Sequence, residues 1–147
     1  MPNFVATHRI THEATMLMLQ RGIAKAIEID AKVSLAVVDA GGQTLAFVRM
    51  DGARLFSEAA TIKKAKTASS QGLATGYAKP EDVVSMQIRF NGHFTNVPGG
   101  LPIVVDGQVI GGIGAGGALK SLGAQPHAIV EKDRRQRKER QWRRGRS

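Results

Sequence analysis

Between positions 11 and 30 apolar residues recur at roughly helical spacing, with Ala14, Leu17, Met18, Ile23, Ala26 and Ile27 as the repeating set. Thr11 stands where a hydroxyl can cap the first turn. The pattern then changes to that of strands. Val33-Ser34-Leu35-Ala36-Val37-Val38 is a β-branched run, Asp39-Ala40-Gly41-Gly42 stops it, and Thr44-Leu45-Ala46-Phe47-Val48-Arg49 resumes it. Residues 33–49 therefore read as an antiparallel hairpin, with Asp39 expected to hold the turn through a side-chain hydrogen bond rather than to catalyse. A second helix, rich in Ala and Lys, is expected from Ser57 or a neighbour as cap to about residue 70. Residues 72–80 read as a loop, and Pro80-Glu81-Asp82 opens a short helix to about Gln87. Two more strands are expected over 102–114, joined at Asp106-Gly107, which tolerate the positive φ angles of a tight turn.

The order is thus helix, two strands, two helices and two strands, with a further helix expected at the end. Hairpins joined by tight turns argue for an α+β fold, an antiparallel sheet covered by helices, over a doubly wound parallel sheet. There is no internal repeat. Gly112-Ile113-Gly114-Ala115-Gly116-Gly117 satisfies the G-x-G-x-x-G pattern of dinucleotide-binding turns. That fingerprint needs a following helix and another parallel strand, and the chain offers no convincing strand after Gly117.

Composition narrows the classes. The 147 residues, 42% hydrophobic and 22% charged, suit one soluble globular domain. The absence of cysteine excludes disulfides, zinc-thiolate sites and thiol nucleophiles. No apolar run approaches a membrane span and Met1-Pro2-Asn3-Phe4 lacks a signal-peptide core, so a cytoplasmic location is expected. The net charge of +9 suggests nucleic acid or acidic membrane until it is located. Residues 131–147 carry nine bases against three acids, +6 of the +9, which leaves a nearly neutral body and a basic tail. Such a run is usually solvated, and a nucleic-acid role rests on the tail alone.

The Pro98-Gly99-Gly100-Leu101-Pro102-Ile103 elbow resembles the GlcG/HbpS family, which includes the C-terminal domain of PduO-type proteins. Val37-Val38-Asp39-Ala40-Gly41-Gly42, Arg49-Met50-Asp51-Gly52-Ala53, and Ser57 with Lys64-Ala65 and Thr67-Ala68 carry the same resemblance. It spans roughly residues 10–118. It implies a profilin-like α/β/α sandwich with a central antiparallel sheet, homo-oligomers, and in several members heme or corrinoid-related ligands. Beyond Ala118 the resemblance breaks. The family continues Gly-Ala-x-Pro-Glu-Glu-Asp into an amphipathic helix, whereas this chain reads Leu119-Lys120-Ser121-Leu122. The codons CCT GAA GAG C, for Pro-Glu-Glu, read one base later give Leu-Lys-Ser, so residues 119–147 are read as a divergent basic tail that is out of frame. Resequencing the gene tests this.

Arg49, Asp51 and Lys64 are the charged members of the family-like segments. Arg49 can grip a carboxylate through two donors and Lys64 can add charge; the structural alternative pairs Arg49 with Asp51 to orient the turn. His93 lies in the glycine-hinged loop Asn91-Gly92-His93-Phe94-Thr95-Asn96, where an imidazole can ligate heme iron or act as a general base. His12 is the other candidate iron ligand, its alternative being a surface helix residue. His8 and His127 have no such context. No catalytic triad, carboxylate pair or H-E-x-x-H motif is legible, and Met16 and Met18 read as core filler.

These residues lead to a small-molecule binding protein for heme or another planar, acidic ligand. Its pocket is expected between Pro98, Gly99, Gly100 and Leu101, the His93 loop and the Arg49/Asp51 hairpin end. Arg49 or Lys64 would hold a propionate and a histidine the iron. The alternative is a catabolic-pathway enzyme for a small unsaturated carboxylate, with Arg49 binding it and His93 or Asp51 moving a proton. A third reading is a nucleic-acid adaptor acting through the tail.

Overall fold

The computed structural model describes residues 3–117. The expected last helix, the basic tail and the reading-frame question lie outside the described residues. The chain runs α1 (His12–Glu28), β1 (Ser34–Asp39), β2 (Thr44–Arg49), α2 (Ser57–Gln71), α3 (Pro80–Arg89), β3 (Gly100–Val105) and β4 (Gln108–Gly116). The four strands form one antiparallel sheet in the order β2-β1-β4-β3. This is the α+β sandwich expected from the sequence.

Local signals account for most boundaries. Thr11 Oγ1 accepts a 3.1 Å hydrogen bond from the Ala14 amide and caps α1. Asp39 Oδ1 accepts from the Gln43 amide at 2.9 Å, and the Gly42 amide donates to the Asp39 carbonyl, which closes the β1–β2 turn as expected. Ser57 does not cap α2. Its hydroxyl donates to the Arg54 carbonyl and also meets Ser34 Oγ at 2.7 Å, while Phe56 occupies the cap position without a side-chain bond. Part of the elbow is strand, because β3 starts at Gly100. Pro102 is accommodated because β3 lies on the sheet edge.

The helices cover opposite faces. Leu35 and Val37 of β1 pack with Leu19 and Ala26 of α1 and with Ile113 and Ala115 of β4. The alternate residues Ala36 and Val38 pack with Ala65 of α2. The inward stripe of α1 is Thr15, Leu19, Gly22 and Ala26, while Leu17 and Ile27 are exposed. Met18 fills a gap at the core, but Met16 is 49% exposed and does not.

Under α2, β4 has no side chains of its own. A Cβ on Gly112 would fall under 3.0 Å from the Ala65 carbonyl oxygen, and one on Gly114 equally close to that of Thr61. Gly116 and Gly100 meet Thr61 Oγ1 and the Lys64 carbonyl in the same way. The glycine motif that mimics a dinucleotide fingerprint is therefore a floor on which the backbone of α2 rests.

Candidate functional site

The direction of α2 divides the expected site in two. Its first turn lies beside Ser34, at the start of β1, and its last turn lies beside Asp39, at the end, where Ser69 Oγ donates to the Asp39 carbonyl at 3.0 Å. The two ends of β1 are about 16 Å apart at the usual strand rise.

At the Asp39 end an open groove of about 520 Å³ runs between the 40–43 turn and the 90–94 loop, floored by the C-terminal half of α2. Gly41, Gly42 and Gln43 form one wall, and Phe90, His93 and Phe94 the other. Lys66, Thr67, Ser69, Ser70 and Gln71 lie along the floor. Local structure holds the loop firmly. Asn91 and Gly92, at φ 54° and 75°, reverse the chain after α3, and the His93 amide donates to the Phe90 carbonyl at 3.0 Å. Phe94 is buried, its ring tilted against Phe90 with centroids 6.0 Å apart and edge-on to Tyr77 at 6.3 Å. Thr67 Oγ1 accepts from the Thr95 amide at 3.1 Å and ties the loop to α2. His93 thus stands exposed on a fixed aromatic base.

At the other end the structure brings Lys64 to the elbow. The Gly100 backbone lies against the Lys64 carbonyl, the Ala115 amide donates to the Gly99 carbonyl at 2.8 Å, and Lys64 Nζ donates to the Ala115 carbonyl at 3.1 Å. Burial alone lowers the Lys64 pKa from its ordinary 10.5. Gly99 and Leu101 are buried and Pro98 is exposed against Gly76. Arg49 belongs to this end as well. It pairs with Ser34, which pairs with Gly116, so the three residues form a row across the sheet on the α2 face.

The residues expected to share one pocket therefore do not all converge. Strand length separates His93 from Arg49 and Asp51, and Lys64 precedes the groove residues Lys66 to Gln71 on α2, about 3 Å of helix rise before the first of them and turned toward the sheet at Ala115. Arg49 and Asp51 do not form the ion pair offered as their structural role; both are exposed, and Asp51 lies in the turn that the Ala53 amide closes onto the Met50 carbonyl. His12 begins α1, on the opposite face from His93. Lys66, the Phe90–Phe94 pair and Thr61 were missed. Thr61 was accessible to reasoning, since three residues before Lys64 on a helix is the same face. Among the described residues no three His, Asp or Glu side chains gather as a metal site, and no helix is long and apolar enough to cross a membrane.

Fold and site together define a small α+β domain with one antiparallel sheet, an open groove at one end of its inner helix and a buried lysine at the other. The chain belongs to the family described as haem degrading protein HbpS-like, whose model matches residues 10–133. The match extends past Ala118 into the stretch set apart in the sequence. Two curated relatives agree. An uncharacterized 15.0 kDa protein of the dhaT-dhaS intergenic region of Citrobacter freundii is 36% identical over 115 residues, 74% of this chain and 80% of that one. Protein GlcG of Escherichia coli strain K12 is 32% identical over 114 residues, 71% and 79% of the two chains. Among solved structures, a PduOC:heme complex superposes with a TM-score of 0.74 at 25% identity, covering 84% of this chain and 91% of that one. A double mutant of Streptomyces reticuli HbpS gives 0.75 at 28%, covering 87% and 89%.

Proposed function

We propose that this protein binds heme, or a related planar acidic ligand, in the groove between the 40–43 turn and the 90–94 loop. The observation that carries the reading is His93 held beside Phe90 and Phe94 over a floor that carries Lys66, in a groove of about 520 Å³. That volume lies within the usual range for small-molecule sites. The residues fit the group in kind: a nitrogen donor for iron, an aromatic wall for a planar ring, and a cation with hydroxyl and amide side chains for acidic edges. Heme, when bound, supplies a redox-active iron. The chain supplies the imidazole, the aromatic wall and the ammonium of Lys66, which takes the part expected of Arg49 or Lys64. A family described as haem degrading and the likeness to a PduOC:heme complex support the ligand class. The same reading has the protein working as a homo-oligomer.

Titration of the full chain with hemin, followed by the Soret band, tests this. A saturable, sharpened band is expected in the wild type and in His12→Ala, and its loss in His93→Ala. A band indifferent to both substitutions overturns the reading and marks the signal as adsorption.

A further inference from the structure

α2 presents Ser57, Thr61, Lys64 and Ser69 to the sheet where a covering helix ordinarily places apolar side chains, and of these Ser57 and Ser69 are hydrogen-bonded to β1, at Ser34 and the Asp39 carbonyl. Thr61 and Lys64 lie on one face, one turn apart, and both are directed at Gly116. A Cβ on Gly116 would sit under 3.0 Å from Thr61 Oγ1 and 3.5 Å from Lys64 Nζ. Thr61 is 0% exposed, and its hydroxyl has no hydrogen-bond partner among the described residues. Lys64 is 6% exposed. Its ammonium has three protons to place, and one goes to the Ala115 carbonyl at 3.1 Å. Among the described residues no carboxylate lies within ion-pair distance of it. A buried cation and a buried hydroxyl, both short of acceptors and side by side, are costly unless something completes them.

We propose that Thr61 and Lys64 form a binding site for the carboxylate of a small molecule, one oxygen taken by the Lys64 ammonium and the other by the Thr61 hydroxyl. The site is distinct from the His93 groove and independent of the heme reading. A carboxylate matches the single buried positive charge and needs little room. The neighbouring backbone is glycine at Gly99, Gly100, Gly116 and Gly117, and the side chains that border it there are those of Thr75 and Ser57. Arg49, two strands away in the row through Ser34 and Gly116, adds an exposed cation on the same face to attract the anion.

Acetate is the probe, titrated into the full chain at constant ionic strength with chloride as the balancing ion, and read by thermal unfolding and by amide chemical shifts. A saturable rise in Tm beyond that of chloride is expected, with shifts centred on Ala115, Gly116 and Gly117 and not on Gly41 and Gly42. Lys64→Met abolishes the rise. Thr61→Val weakens acetate binding by about tenfold or more, the usual worth of a hydrogen bond to a charged group. His93→Ala leaves it unchanged, so failure here and failure of the hemin test are separate results. No acetate-specific rise, an equal rise in Lys64→Met, or shifts scattered over the surface would each overturn the proposal. So would preference for inorganic phosphate over acetate. The shift map needs no variant and stands even where a substitution prevents folding.

Discussion

Lys64 is the residue at which local chemistry departs furthest from what a sequence suggests. A lysine in an Ala- and Lys-rich helix reads as solvated, yet this one is buried beneath the elbow, and burial lowers its pKa from 10.5. The direction fixes how stability responds to pH. Below the lowered value both the folded and unfolded chains hold the proton, and the native state bears the whole cost of the buried charge. Between the lowered value and 10.5 the unfolded chain binds more protons than the native one, so stability rises with pH through that window. Denaturant unfolding from neutral pH upward is expected to show this rise for the wild type, and Lys64→Met to remove it and to be the more stable near neutrality. An identical slope in both proteins would exclude Lys64 as the source. Asp39 is the opposite case. Its turn-closing bond to Gln43 was legible because an Asp before two glycines forms it with purely local geometry. The burial of Lys64 depends on which strand lies under α2, and no local pattern contains that.

Among the elements, α2 and β4 form the least conventional pair. α2 has few large apolar residues to bury, and it meets the sheet through its backbone because Gly112, Gly114 and Gly116 give way to it. Gly114→Ala sets a methyl group against the Thr61 carbonyl and the Ala65 amide, neither of which can rotate aside. Its expected cost is about 1–3 kcal/mol, the usual range for overpacking, measured as a fall in the denaturation midpoint. Gly41→Ala is the control, since its new Cβ would meet only Asp39 Oδ1 at 3.4 Å, an ordinary contact. Strands and hairpins were readable because alternation and turn residues are local signals. The purpose of the glycines was not, since one spacing serves both a phosphate cradle and a helix floor. The inward stripe of α1 was legible in part: Ala14, Met18, Ile23 and Ala26 meet the core as expected. Gly22 lets that helix close down on Leu35, and Thr15 and Leu19 are buried beside it while Leu17 and Ile27 lie outside.

At the scale of the whole molecule, the sheet keeps its two chemistries apart. Motifs adjacent in the sequence analysis, the His93 loop and the elbow, are delivered to different stretches of α2. Hairpin connectivity shows which strands pair, but a pocket depends on which ends of them coincide. The separation predicts additivity: Lys64→Met is expected to leave hemin affinity unchanged, and its stability effect to sum with that of His93→Ala within about 0.5 kcal/mol. A coupling well beyond that would mean that one end senses the other. The strand order has a further consequence, for the order of synthesis. β4 leaves the ribosome after every other described element, yet it fills the middle of the sheet between β1 and β3. Until it emerges, the nascent chain has only the β1–β2 hairpin, marginal by itself, and a helix with no glycine floor to settle on. A lesion that stops translation before Gln108 therefore removes the strand that joins β1 to β3, and with it the sheet.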